Sequence, residues 1–404
     1  MTTDSVLTAR TVPRGQQLQE VLDEIAADYR RRLDEGGHEP PGRGLSLVRE
    51  HRLGAARLAG ELGGGDFTVP EFFELVIRLA QADPDLTHIL RVHYATVEEL
   101  QRVPGSQAKD RWLSLVAEGR LIGGVSSELT SARVGGQAYD TKLVRSADGL
   151  RLTGRKFYST GAQFSDYVRA TAENVNGAPV AAVVPADRAG IVHADDWDGI
   201  GQRHTGSGTT IFENVVVHED EVLPIGTNVG VDRARGALVQ LYLHAIAAGI
   251  LKALTDEAAA LVRDRHRTYT FATTDTPSSD PQLLEIVGEI DAVAYTAEAL
   301  VLRATAELAP ALDTARVRGI DARLEDQGAV AAARVKVAIE QPALRAASRI
   351  FDAGGASSVR AASHLDRHWR NLRTLFSHNP TVYKARVLGD IAVNRAPLPD
   401  TGFF

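Results

Sequence analysis

Apolar positions in the first quarter of the chain recur every three to four residues. Leu18, Val21, Leu22 and Ile25 follow this spacing, as do Phe72, Phe73, Val76, Ile77 and Ala80, so each set lines one face of a helix. Asp83-Pro84 pairs an N-cap residue with a proline suited to the first helical position, and predicts a further helix through Leu86, Ile89, Leu90, Val97 and Leu100. From Leu121 to about Pro224 the pattern shortens to alternating or β-branched runs. Lys142–Arg145, the turn residues Ala147-Asp148-Gly149 and Leu150–Phe157 predict a hairpin. Tyr167–Ala172 and Val180–Val184 flank Asn176-Gly177, a second hairpin turn, and strands are also expected at Ile191 and Thr209–Val217. Helical spacing returns at Asp232, over 232–266, 282–309, 320–349, 357–376 and 381–394, with Thr268–Pro281 as a loop. Repeated Ala-Ala pairs in these segments suit close packing in a bundle. The chain therefore divides into a helical N-terminal domain (1–120), a β-domain (121–225) and a C-terminal helical bundle (226–404): an α+β protein.

Composition narrows the chemistry. The 404 residues contain no cysteine, which excludes disulfides, thiol catalysis, iron–sulfur clusters and cysteine zinc sites. A formal net charge of −7 argues against nucleic acid as a main partner. The longest apolar stretch, Leu238–Leu254, is interrupted by Gln240, His244 and Lys252 and falls short of a membrane span. The polar Met1–Arg14 has no secretory signal character. A cytoplasmic protein with neither nucleic acid nor membrane as partner is expected.

The middle block carries the specific motifs. Leu152-Thr153-Gly154-Arg155-Lys156-Phe157-Tyr158-Ser159-Thr160-Gly161-Ala162, followed by Asp166-Tyr167-Val168, resembles the strand-turn of acyl-CoA dehydrogenases. Trp197 to Thr210, followed by Phe212-Glu213-Asn214-Val215 and Val217, is similar to that family's next strand pair, and Gly123-Gly124-Val125-Ser126-Ser127-Glu128 to the start of its β-domain. Near the C-terminus, Phe351-Asp352-Ala353-Gly354-Gly355-Ala356-Ser357, Leu365-Asp366-Arg367-His368-Trp369-Arg370-Asn371 and His378-Asn379-Pro380 resemble the dibenzothiophene monooxygenase branch. The resemblance implies an acyl-CoA dehydrogenase-like fold: helical N-terminal domain, β-barrel-like middle domain and C-terminal four-helix bundle, assembled as a homotetramer with flavin at subunit interfaces. It further implies a two-component monooxygenase. A separate NAD(P)H-dependent reductase supplies reduced FMN (FAD being the alternative), and O2 is activated as the flavin C4a-hydroperoxide to oxygenate a small, largely apolar substrate.

One absence separates oxygenase from dehydrogenase. Thioester oxidation needs a carboxylate base, and its usual loop reads Phe376-Ser377-His378-Asn379-Pro380 here; the alternative helix position, between Asp232 and Asp256, has no Asp or Glu. Lacking both, a dehydrogenase would forgo the ~10²–10⁴-fold supplied by a general base. By the resemblance, His378 takes the place of the glutamate, His93 walls the pocket, and Thr160 approaches the flavin N5; these are the candidate catalytic residues. Tyr94, Ser126, Ser159, Thr160, Trp197, Ser207, Arg265, Gly354 and Gly355 are the candidate flavin contacts. Each has a plain structural alternative: His378 a helix cap, His93 a satisfied core histidine, Tyr94 and Trp197 core aromatics, Ser159 and Thr160 a strand end, Arg265 helix-dipole complementarity. The backbone of Gly354-Gly355-Ala356-Ser357 is expected to open a helix and to suit a phosphate. His364 and His368, at i, i+4, are read as packing rather than as a metal pair.

Overall fold

The computed structural model describes residues 11–102, 107–129, 139–147, 149–224, 232–399 and 404. Asp148 of the first hairpin turn and Met1–Arg10 lie outside the described residues.

The N-terminal unit comprises α1 (Gly15–Asp34), α2 (Gly42–Glu50), α3 (Val69–Ala82), α4 (Pro84–Ile89), α5 (Arg91–Arg102) and α6 (Gln107–Ala117). α1 buries Leu18, Val21, Leu22 and Ile25, and α3 buries Phe72, Phe73, Val76, Ile77 and Ala80, as their spacing requires. Thr68 and Glu71 form a capping box at the start of α3. The Asp83 carboxylate caps α4 by accepting the amides of Asp85 (3.0 Å) and Leu86 (2.9 Å). The single helix expected beyond Asp83 is broken at Leu90, whose amide bonds back only three residues to Thr87. The break frees neighbouring side chains for different partners: His88 bonds the middle domain and Arg91 the C-terminal turn.

The middle strands are β1 (Ile122–Val125), β2 (Lys142–Ser146), β3 (Gly149–Lys156), β4 (Tyr167–Asn174), β5 (Pro179–Pro185), β6 (Ile191–His193), β7 (Thr210–Val217) and β8 (Val222–Pro224). They form one mixed sheet in the order β6-β7-β3-β2-β4-β5-β8. β1 and then β2 lie parallel along successive halves of one edge of β4. Both expected hairpins form, β2 with β3 and β4 with β5. Val168, Ala170 and Ala172 of β4 meet Val180, Ala182 and Val184 of β5 and Leu152, Phe212 and Val215 in a core of the sheet's own. The alternate residues Ala181 and Val183 join the helical core instead, so the period-two pattern ties the sheet to the helices on its other face. This is the expected barrel-like unit, left open between β6 and β8 among the described residues.

The C-terminal unit packs α7 (Arg233–Arg263) against α8 (Pro281–Val317) and α9 (Ala322–Gly354), followed by α10 (Asp366–Phe376) and α11 (Thr381–Asn394). α7 is long and apolar enough to cross a membrane, yet most of its apolar window is buried against α3, α8 and α9. α8 runs past the expected end at 309 and through Pro310. Its buried stripe continues across the proline with Leu308, Ala311, Leu312 and Ala315, and that packing outweighs the roughly 3 kcal/mol that an interior proline costs. The segment expected to be helical from 357 consists instead of short 3-10 turns, and α10 starts only at Asp366. Buried Glu98 of α5 receives Arg57 Nε (2.6 Å) and Arg316 Nη2 of α8 (2.8 Å), which clamps the two helical units together.

Candidate active site

The turn after β3 and the loop before β7 interlock. Phe157 donates its amide to Ser127 O (2.9 Å), which sets the turn beside the end of β1 and leaves Ser126 exposed on the rim. The Ser159 amide donates to Gly208 O (3.0 Å) and the Gly161 amide to Thr205 O (2.8 Å). Thr160 Oγ1 shares a hydrogen bond with Ser207 Oγ (2.8 Å), which in turn meets Thr205 Oγ1 (2.7 Å). Trp197 donates Nε1–H to Gln202 O (2.9 Å), and its ring meets Tyr158 edge-on at 6.4 Å. A Cβ on Gly199 would lie 2.1 Å from the indole, so only glycine lets the Trp197 ring fold over the chain here. Ser159, Thr160, Trp197 and Ser207 are thus brought together, with Ser126 on their rim. The Ser159 hydroxyl is buried with no partner among the described residues.

Gln202 connects this group to the helices. Its amide donates to Asn371 Oδ1 of α10 (2.7 Å), and its side-chain oxygen accepts from His88 Nδ1 (2.9 Å). Gln202 Nε2 and His88 Nε2 are both buried without a partner among the described residues. Burial, then the nearby Arg91 charge, pushes His88 down to about 3. The imidazole is therefore neutral, and with Nδ1–H donating, Nε2 carries the free lone pair. Arg91 donates through Nη1 to His378 Nε2 (3.3 Å), while its own Nε is buried without a partner among the described residues. Desolvation by the surrounding protein and then the Arg91 charge, with Lys336 and Lys384 adding to it, hold His378 well below the ordinary histidine range. Next to it, Asn379 donates to Gln240 Oε1 of α7 (2.8 Å).

Other expected residues lie elsewhere. His93 is 1% exposed, accepts the Ile122 amide at Nδ1 (3.1 Å) and donates Nε2–H to Gly54 O (2.9 Å). Both ring nitrogens are consumed by backbone, so the catalytic role expected of His93 is replaced by a structural one: it ties β1 to the N-terminal unit. Tyr94 likewise donates its hydroxyl to Leu53 O (2.8 Å) and packs its ring edge-on against Phe72 and His93, which makes it a core residue rather than a flavin contact. Gly354 ends α9 and Gly355 opens a 3-10 turn, so these glycines close a helix rather than open one. Their neighbour is Arg265, which donates to Ala353 O (3.1 Å) and lies over the Tyr269 ring. None of the three has a described contact with the Thr160–Ser207 group. His364 precedes α10 in a left-handed conformation, and His368 bonds Glu257 (2.9 Å).

His88, Arg91, Gln202 and Asn371 are the site residues that the sequence pattern missed. The available signal was the three-residue spacing of His88 and Arg91 on a single expected helix, together with a polar Gln202 amid glycines. Buried carboxylates near these residues are tied elsewhere. Asp85 accepts the His204 amide (3.3 Å) behind the loop, its carboxyl pushed up to about 7 by burial and then Asp83. Glu340 is held by Thr381 and Arg373. Among the described residues, no carboxylate bonds any of Ser159, Gln202, His88 or Arg91.

Comparison with known proteins places the chain in a family. The family described as acyl-CoA dehydrogenase, C-terminal domain, matches residues 241–382. A dibenzothiophene monooxygenase from Mycolicibacterium goodii is 30% identical over 98% of this chain and 98% of its own. A probable FMNH2-dependent monooxygenase, SfnC of Pseudomonas putida, is 27% identical over 94% and 95%. The crystal structure of TdsC from Paenibacillus sp. A11-2 with FMN and indole superposes with a TM-score of 0.86 at 26% identity, covering 96% of this chain and 100% of that one.

Proposed function

The chain belongs to the dibenzothiophene monooxygenase family, on the acyl-CoA dehydrogenase fold, and from that premise we propose that it is the oxygenase component of a two-component flavin monooxygenase. Its partners on this reading are reduced FMN, O2, a small substrate and a separate NAD(P)H-dependent flavin reductase. The observation that carries it is a group of buried polar atoms in this region with no partner among the described residues: Ser159 Oγ, Gln202 Nε2, His88 Nε2 and Arg91 Nε. Each such atom costs about 1–3 kcal/mol if nothing satisfies it; His88 bonds Gln202, Trp197 bonds the Gln202 backbone, and Arg91 follows His88 by three residues.

That group fits the flavin. Ser159, Thr160 and Ser207 offer hydroxyls to the polar edge of the ring, Trp197 offers a stacking surface and Ser126 a rim contact. Reduced flavin supplies the two electrons that let one atom of O2 enter the substrate while the other leaves as water. The protein's own part is electrostatic and steric. Neutral His88 and His378 hold or return a proton at Nε2 or Nδ1, and Arg91 fixes His378 through its Nε2 lone pair. The buried surroundings of His88 keep water from the reacting atoms.

Arg265 with Gly354-Gly355 serves the flavin phosphate of a neighbouring subunit in a homotetramer. Exposed apolar residues on the bundle support such an assembly: Leu284 and Tyr295 on α8, Phe271 at its approach, and Val382, Tyr383 and Val393 on α11. A cytoplasmic location suits an enzyme that depends on a reductase for its flavin.

Purified chain, a flavin reductase, NADH, FMN and O2 should convert an indole or thiophene probe to a product 16 mass units heavier, only when all components are present. Oxidation of acyl-CoA thioesters with an artificial acceptor, and no oxygenated product, would reverse the assignment.

A further inference from the structure

Half-buried Arg91 departs from the pattern set by most of the chain's other buried and half-buried arginines. Arg32 meets Asp28 and Asp83, Arg57 meets Glu98, Arg102 meets Asp232 and Glu325, Arg169 meets Glu99, and Arg367 meets Glu257. Arg91 has no carboxylate within ion-pair distance among the described residues. Its one described hydrogen bond goes to a neutral imidazole, and its Nε is buried and unused. A cation drawn partly out of water, with one N–H buried and no counter-charge beside it, is one that proteins ordinarily pair. Desolvation pulls this guanidinium down to about 10, with Tyr242 opposing the shift and the nearby Arg235 adding to it.

The surroundings reinforce the imbalance. Lys336 of α9 is 2% exposed and donates to Phe376 O (2.8 Å), two residues before His378. The charged groups acting on His378 are Arg91, Lys336 and Lys384, all cationic, from three different helices. Glu340, the carboxylate that acts on Lys336, is itself shared with Thr381 and Arg373. Thr160, Ser207 and Trp197 lie on the Gln202 side of His88, while Arg91, three residues on, donates to His378, which by the resemblance takes the place of the dehydrogenase base.

We propose that Arg91 is a substrate anchor, and that the molecule oxygenated carries an anionic oxygen group, a carboxylate or a sulfinate, paired with its guanidinium beside His378. The fork of N–H donors matches two oxygens of such a group. This rests on the monooxygenase reading and replaces its largely apolar substrate with one that has an apolar body and a charged end.

The test uses the FMN-loaded enzyme and two shape-matched pairs of probes: benzoate against benzamide, and benzenesulfinate against methyl phenyl sulfoxide. Calorimetry should show at least one anion binding tenfold or more tightly than its neutral partner, and which pair responds distinguishes carboxylate from sulfinate. Arg91→Met should weaken that anion at least tenfold and the neutral probe less than threefold, with Arg91→Lys retaining part of the preference. Equal binding of anion and neutral probe by the wild type would overturn the proposal without need of any variant. Loss of FMN affinity in Arg91→Met, with both probes weakened together, would also overturn it by making Arg91 a flavin ligand. Absence of FMN binding to the wild type would instead sink the monooxygenase reading beneath it.

Discussion

At the scale of single residues, His88 and His93 show how five positions along one predicted helix separate chemistry from architecture. His93 spends both nitrogens on backbone, whereas His88 spends one on Gln202 and keeps Nε2. His93→Ala would orphan Ile122 N and Gly54 O, at about 1–3 kcal/mol each, so denaturant unfolding should lose roughly 2–6 kcal/mol. His88→Ala should leave the fold close to wild type but cut turnover about a hundredfold or more, the scale of a lost proton-transfer group. Wild-type stability for both variants, or wild-type turnover for His88→Ala, would reverse these roles. pH supplies a second check. Burial lowers His93 to about 4 and His88 to about 3, so their contribution is whole above about pH 6.5 and fades as pH falls toward those values. The unfolded chain takes up protons first over that window. Stability should therefore decline from pH 7 to pH 5, and His93→Gln should flatten the slope by about one proton; an unchanged slope would mean that His93 is not held neutral.

Elements position the site through close backbone approach. Gly161 has φ +78, and a Cβ there would meet Ile89 O at 2.4 Å. The turn bearing Thr160 is therefore pressed directly against the end of the helix that carries His88. Gly161→Ala should push turn and helix apart, and flavin titration should show at least a tenfold loss of affinity with a modest fall in Tm. Retained affinity would show that this contact is incidental. On α8, Pro310 is exposed on the face opposite a buried stripe that continues past it. Alanine there restores a hydrogen bond to Ala306 O, so Pro310→Ala should raise the Tm, and a fall would mean that the proline's bend is needed for packing.

For the whole molecule, two groups of expected flavin ligands stand apart: Thr160 with Ser207, and Arg265 with Gly355. If Arg265 completes a neighbour's site, light scattering should give a mass four times that of the chain. Co-assembly of an Arg265→Ala chain with a His378→Ala chain should then recover part of the activity that each lacks alone, because mixed tetramers contain sites with both residues. A monomeric active enzyme would exclude the arrangement. The helical units are clamped meanwhile by Glu98 between Arg57 and Arg316, a buried ion group whose partial removal ordinarily costs 3–5 kcal/mol.

Periodicity alone carried the order of helical unit, β-domain and bundle, both hairpins and most helix faces, because which residues can share a face depends only on local geometry. The replacement of a carboxylate by the His378 turn was equally legible, as a matter of residue identity at a motif position. Tertiary structure decided which histidine is free, since that depends on whether distant groups, Ile122 and Gly54 for His93 and Gln202 for His88, occupy the ring nitrogens. It also carried α8 through Pro310 and ended α9 at Gly354, where packing or its loss outweighed propensity. The isolation of Arg91 from every described carboxylate could not be read from the chain either, because charge compensation in a buried site is a property of three-dimensional neighbours and not of spacing.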